Sequence, residues 1–406
     1  MRRVMFTMLV SLAIVAFATS AMAGANIPIN DNASLNLGYR VQALLINTDM
    51  DLDGEGGLDT YRQFKVRRGR LRLGAKVGDH MTAFLQTDAV NKDVLLIDAF
   101  VNFKVNPWLQ FIMGRNMAPA SRQNLTSSGA LMAIDRPGLA YKSLTWGMRA
   151  LNRFSNSTAD GTAAGGVTGS PDAVRDNGLT IFGSNALGGG GLKYYVGMYN
   201  GIQDGGDYGG NNDKDRFTFR AQYNLWDAEA AYFQSSTYLG KKKTLAIGVS
   251  YDMQSEIAGY NDADDNPMLT DYTYTTVDVF LELPSSNGNA LTVEGAWMNL
   301  DLNDAAPYMN AQGSGFYGQA GYYLNSGWQP WVCYETFDSD ATADEDGKLG
   351  KFTQFRVGLT YFLEGQHANI KLGYESYKSD RPFYGAGDDE TADTINTITL
   401  GFYTTY

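Results

Sequence analysis

From residue 33 onward the chain repeats one pattern, in which runs of about ten residues alternate apolar and polar side chains before each turn. Leu35, Leu37, Tyr39, Val41, Ala43 and Leu45 share one face of the first run, with Asn36, Arg40 and Gln42 opposite. Leu71, Leu73, Ala75 and Val77 alternate with Arg70, Arg72, Gly74 and Lys76, and Ile97, Ala99, Val101 and Phe103 with Asp98, Asn102 and Lys104. Near the end, Phe355, Val357, Leu359, Tyr361 and Leu363 alternate with Arg356, Gly358, Thr360 and Glu364. A side-chain period of two is a strand signature. Charged residues on the second face of nearly every run do not suit a packed soluble core. A barrel with lipid outside and water inside takes both faces.

The two ends of the chain agree. In the last ten residues, Ile398, Leu400, Phe402, Thr404 and Tyr406 oppose Thr397, Thr399, Gly401, Tyr403 and Thr405. That is the pattern of a closing strand that pairs with the first and meets the membrane interface with an aromatic ring. At the other end, Arg2 and Arg3 precede an apolar run over 4–18 and the small-x-small triplet Ala21, Met22, Ala23. This predicts a secretory signal over 1–23, cleaved before Gly24, and a barrel domain over 24–406. Without Arg2 and Arg3, 30 Lys and Arg face 44 Asp and Glu, a net charge of −14, which speaks against nucleic-acid binding. Cys333 is the sole cysteine, so no intramolecular disulfide is available, and its neighbours Trp331, Val332 and Tyr334 suggest a packed strand position. Beyond residue 23 no apolar stretch is long enough for a membrane helix. With 25 Tyr, 46 Gly and only 10 Pro, the composition fits many strands with aromatic girdles.

Connections fall into two kinds. Short ones lie at Gly78 and Asp79, Asn106 and Pro107, the glycines 188–191, Ser326 and Gly327, and 364–366. Long polar ones occupy 48–60, 201–215, 255–270, 305–314, 338–349 and 379–393. Outer-membrane barrels show this asymmetry, with short periplasmic turns and long external loops. About seventeen strands can be read, and closure with both termini on one side needs an even number. Sixteen is the expected count and eighteen the next; parity is least clear around 240–274, and a strand within 144–154 would change it. The long interruption at 116–143 carries Arg122, Arg136 and Lys142 among small residues, and it could fold into the lumen or stay outside.

Several segments resemble the phosphate-selective porin O and P family. These are FKVRRGRLRLGAKVGD at 64–79, DAFVNFKVNPWLQFIMGR at 98–115, and NMAPASRQNLTSSGALMAI at 116–134 with its Leu-Thr-Ser-Ser element at 125–128. The stretch 175–202, with Tyr199, Asn200 and Gly201, and the hairpin 357–374 are similar too. The resemblance implies a sixteen-stranded, trimeric outer-membrane porin whose third loop folds inward.

The chemistry expected of the lumen centres on the second strand of that barrel. Arg68, Arg70, Arg72 and Lys76 share a face, provided a bulge near 67–69 corrects the register of Phe64 and Val66. Such a ladder would attract anions and could pass phosphate through bidentate contacts. It could equally balance acidic residues across the pore. Arg115, Arg122, Arg136 and Lys142 are the expected cations of the constriction loop. Asp49, Asp51 and Asp53 copy the first half of a calcium loop, but Thr60 stands where the closing Glu belongs, so the metal reading is weak beside a solvated acidic loop. Only His80 and His367 are available for acid–base work, both beside predicted periplasmic turns. No catalytic constellation and no cofactor motif is present in the sequence. The expectation is therefore a non-enzymatic outer-membrane channel for small hydrophilic solutes and ions, with anion or phosphate preference as the finer reading. Lipid, lipopolysaccharide and a homotrimer are its expected partners. The alternative is a plugged structural or adhesive barrel.

Overall fold

The computed structural model describes residues 24–50, 59–90, 93–137, 174–201, 214–261, 267–303, 313–342, 348–384 and 391–406. Residues 1–23, the expected signal, lie outside them, as does the stretch 144–154. A short strand, β1 (Ala25–Asn30), is followed by β2 (Ala33–Met50), β3 (Asp59–Val77), β4 (Met81–Val90), β5 (Asp93–Asn106) and β6 (Leu109–Met117). After the long third loop come β7 (Arg175–Leu187), β8 (Gly190–Tyr199), β9 (Arg216–Trp226), β10 (Thr244–Asn261) and β11 (Pro267–Pro284). The ring ends with β12 (Ala290–Asp301), β13 (Gly313–Tyr323), β14 (Trp328–Thr342), β15 (Lys348–Phe362), β16 (Ala368–Tyr384) and β17 (Thr391–Thr405).

Each strand from β2 to β17 pairs antiparallel with its sequence neighbour, and β17 pairs with β2, from Ile395 against Met50 to Thr405 against Arg40. The result is a closed sixteen-strand barrel. Closure matters physically because no water is available in hydrocarbon to satisfy an open edge. The strand beyond the sixteen is β1. It lies against Ala33–Leu37 of β2, the part of that edge that β17 does not reach, and extends the ladder at the rim. The doubtful stretch around 240–274 resolves into β10 and β11, paired from Thr244 against Glu282 to Asn261 against Pro267.

Strands run further into the polar connections than alternation suggests. β2, β10 and β11 have 18 residues each and β3 has 19. Crossing the membrane takes only about 9–11. Past the lipid both strand faces are wet, so the sequence loses its alternation while the ladder continues. The expected bulge is present: Gln42 pairs with Arg68 and Ala43 with Val66, leaving Arg67 as the extra residue. Phe64, Val66, Leu71 and Leu73 therefore all face outward.

The outer face is apolar across its height, with Met113, Ile247, Val249, Val279, Leu372 and Ile398 exposed. Trp108, Trp226, Tyr322 and Trp328 mark the end with short turns. Phe219, Tyr251, Phe316, Tyr334 and Tyr374 stand further along their strands, as a second girdle would. Inward positions alternate with these, as in β8, where Lys193, Tyr195 and Tyr199 are buried and Leu192, Val196 and Met198 are not. Cys333 is buried on the inner face, 3.3 Å from Arg356 Nη2.

This placement of the lipid predicts a depth-dependent penalty. Val249→Arg, at mid-strand on the outer face, should cost about 2–4 kcal/mol, while Leu225→Arg near the short-turn rim should cost at most about 1. Denaturant unfolding in lipid vesicles reads both, and equal costs would misplace the membrane.

Candidate functional site

Residues 118–137 of the third loop lie inside the barrel, most of them buried. A lumen-filling segment without regular structure must find partners for its backbone. Over 131–136 the wall supplies them one after another. Lys371 Nζ donates to the carbonyls of Leu131 and Ala133, Thr360 Oγ1 to Met132 at 2.9 Å, and the Tyr403 hydroxyl to Ile134 at 2.8 Å. Arg356 Nη1 then reaches the carbonyls of Asp135 and Arg136 at 3.3 and 3.2 Å. Met132 and Ala133 pack on Trp331, so this arm of the loop is fixed by both polar and apolar contacts.

The other arm is a single helical turn, α1 (Arg122–Leu125), capped by Ser121, whose Oγ accepts from the Asn124 amide at 3.1 Å. It presents Arg122 to a second inward segment, residues 227–243 between β9 and β10. By strand direction this connection is on the short-turn side, yet it too enters the lumen. Arg122 makes a bidentate pair with Glu229, both bonds 2.8 Å, and lies 3.9 Å over the Phe280 ring, with Glu294 3.8 Å away. Burial alone would raise the Glu229 carboxyl, but the guanidinium outweighs it and holds the pKa below its ordinary value. Lys193 Nζ donates to the carbonyls of Glu229 and Ala231, and the Tyr195 hydroxyl to that of Tyr232 at 2.8 Å. The two inward segments meet as a short ladder: Gln234 N to Leu125 O and Ser127 N to Gln234 O, both 2.9 Å, then Ser236 N to Ala130 O at 3.0 Å. Ile112, Leu125, Phe182, Tyr195 and Tyr232 form the apolar joint beneath them.

The expected basic residues divide by partner. Arg68 donates to Gln42 Oε1 at 2.5 Å and pairs with Asp135 at 2.9 Å, and the bulged Arg67 takes the other oxygen of Asp135 at 2.8 Å. Arg70 pairs with Asp88 at 2.8 Å and touches Ser128 at 3.1 Å. Arg72 pairs with no aspartate or glutamate among the described residues; it bonds an oxygen of Tyr406, the last residue, at 3.4 Å and lies 5.6 Å over the Phe84 ring. Lys76 is 3.6 Å from Asp79 at the exposed rim. Arg136 is turned back into its own loop, donating to the carbonyls of Gln123 and Thr126, so it shapes the loop rather than the passage. Arg115 pairs with Ala99 in the register of Met113 and is half-buried, with Asp98, Arg175 and Asp176 nearby. Lys142 lies outside the described residues.

Arg40 belongs to the same cluster; alternation puts it on the polar face of its strand, but nothing in the sequence singles it out as a site residue. It holds the loop tip through Ser128 at 2.6 Å and Ser127 at 3.2 Å, a contact open only because Gly129 has no Cβ to strike the guanidinium. Lys193, Glu229, Arg356 and Lys371 are likewise unmarked in sequence, where any inward residue reads as a pore lining. The one available signal is the length of 227–243, too long for a turn on that side. Asp49 meets Thr60 Oγ1 at 3.5 Å; Asp51 and Asp53 fall outside the described residues. Among the described residues no cluster of metal-ligating side chains occurs. His80 lies in the turn after β3 and His367 in that after β15, its ring stacked on Tyr406 at 5.1 Å.

A cavity of about 470 Å³ lies between the inner wall of β2–β7 and residues 230–233. Arg72, Lys76, Asn36, Asn102 and Gln110 line it, with Phe84, Phe100 and Phe233, and no carboxylate does.

The sequence profile of the family "Phosphate-selective porin O and P" matches residues 40–402. The chain belongs to that family. This porin shares its barrel with several solved structures. The anion-selective porin of Comamonas acidovorans superposes with a TM-score of 0.57 at 12% identity, covering 92% of this chain and all of the other. OmpT of Vibrio cholerae gives 0.54 at 12% identity over 94% of this chain, and OmpF of Salmonella typhi 0.52 at 13% over 94%, each covered in full. At such identities the likeness is one of fold. No curated protein sequence matches the chain. Family and fold make it a channel-forming porin of the outer membrane.

The porin's inward segments depend on the Arg122 pair. Arg122→Ala leaves Glu229 and Glu294 buried without their guanidinium partner, a loss of about 3–5 kcal/mol of local stability. The expected results are a larger, noisier single-channel conductance and faster proteolysis within 118–137 or 227–243. An unaltered conductance would show that the pair does not hold the constriction.

Proposed function

We propose that this porin passes small hydrophilic anions, and that it is exported by residues 1–23 and works as a homotrimer in contact with outer-membrane lipid. The observation that carries the anion preference is the lining of the cavity, where Arg72 stands without an Asp or Glu partner and no carboxylate is among the lining residues. Many other lumen charges are matched, Asp98 with Arg175, Asp252 with Arg216, Asp278 with Arg220, and Glu335 with Arg356, while Arg40, Lys193 and Lys371 are held by hydroxyls or backbone carbonyls. Matched pairs give little net field, so the sign of the passage is set where a cation stands unmatched. The basic ladder is thus mostly framework at Arg68 and Arg70 and selectivity at Arg72.

Phosphate passage fits the same cation, since a guanidinium can offer two parallel donors to an oxyanion. A trimer accords with the in-vitro folded trimer form of Vibrio cholerae OmpT, which superposes at a TM-score of 0.52 and 11% identity. The filled half of the lumen favours narrow over wide conductance, without requiring a sealed barrel. No reaction is assigned to the chain: the family is one of channels, and neither histidine stands in a catalytic arrangement.

Reversal potential in a KCl gradient across a planar bilayer tests this. Arg72→Gln should lower the chloride-over-potassium permeability ratio by about twofold or more, because it removes an unmatched charge. The joint change Arg70→Gln and Asp88→Asn removes no net charge and should leave the ratio nearly unchanged. Equal effects of the two would refute the division between framework and selectivity.

A further inference from the structure

The cavity carries more apolar surface than ion passage needs. Water-filled porin lumens are polar, yet here Phe84 and Phe100 stand on adjacent inner strands with ring centroids 5.6 Å apart. Phe233 of the inward 227–243 segment continues the row, 6.5 Å from Phe100. Docking of that segment accounts for Tyr232, Phe182 and Tyr195, which form the buried joint, and in part for Phe100 and Phe233, which pack against it. It does not account for Phe84, which lies outside that joint and faces the cavity. Exposing a phenyl face to water costs about 25 cal/mol per Å² of apolar area, so an apolar occupant is favoured over water at this wall.

Directly above the Phe84 ring is Arg72, 5.6 Å from the centroid, and its buried Nε has no hydrogen-bond partner. Asn102, also lining the cavity, has an unpartnered buried Oδ1. A cation with an unpartnered Nε beside a three-ring aromatic row, in a cavity of about 470 Å³, is a site with one charged end and one flat apolar face. That volume falls within the range of small-molecule pockets, roughly 300–1,000 Å³.

We propose that this cavity is a binding subsite for aromatic monocarboxylates, with the ring against Phe84, Phe100 and Phe233 and the carboxylate on Arg72. The proposal rests on the anion-channel reading and adds the class of anion. A small hydrated anion such as acetate or phosphate gains the charge of Arg72 but nothing from the rings. An aromatic carboxylate gains both, by offset or edge contacts of the kind aromatic pairs favour.

The test compares benzoate, acetate and inorganic phosphate as blockers of the KCl current through single channels of the full-length protein, added to both sides of the bilayer. Benzoate is expected to half-block at a concentration about tenfold below acetate, a difference of about 1.4 kcal/mol. Phe84→Leu keeps an apolar side chain and removes the ring, so it should bring benzoate up to the acetate value. Arg72→Gln should weaken block by all three. Heat-dependent gel migration confirms that each variant is a folded barrel. Equal block by benzoate and acetate in the unmodified porin, or benzoate block unchanged by Phe84→Leu, overturns the subsite. A wild-type reversal potential without anion preference would overturn the channel reading instead, and the two failures are read by different measurements.

Discussion

Everything in this molecule answers to one requirement, that each backbone amide and carbonyl removed from water must find a partner. In the wall the answer is the closed ladder, completed where β17 meets β2. A single missing pairing there would expose a row of polar groups to hydrocarbon, each costing several kcal/mol. In the lumen the requirement returns in another form. The segment 131–136 has no ladder of its own, and the wall meets its six carbonyls with Lys371, Thr360, Tyr403 and Arg356.

That second solution explains why so many inner-wall charges do not act on solute. A lysine donating to two loop carbonyls, as Lys193 and Lys371 each do, is committed to positioning. An arginine matched to an aspartate on the next strand contributes rigidity and little external field. Buried pairs of this kind are poor evidence of net stability, because desolvation offsets much of the attraction. Removing one partner is what is costly, so the network behaves as a set of interlocked commitments. In the proposed reading the passage is left to cations without an Asp or Glu partner, Arg72 first among these, beside two inward segments that join at Gln234.

The architecture was legible because a lipid-facing barrel writes itself into sequence at every strand. Outward positions must be apolar and inward ones need not be, so alternation repeats along the ring. The mismatch of Phe64 and Val66 with Arg68 and Arg70 even located the bulge at Arg67. The candidate site was far less legible. Arg68, Arg70 and Arg72 look alike in a list of inward arginines, and only Asp135 and Asp88 separate them. Those acids come from a loop more than sixty residues away and from the neighbouring strand.

Sequence alone determined the strand-built wall, its two-faced chemistry and the even count of its ring, since those follow from period and closure, which are local. Only the tertiary structure decided that a connection on the short-turn side, 227–243, enters the lumen to meet the third loop. It also decided which cations are spent on neighbours and which face the passage. Charge matching depends on distances between strands and loops far apart in the chain, and no local pattern encodes those distances.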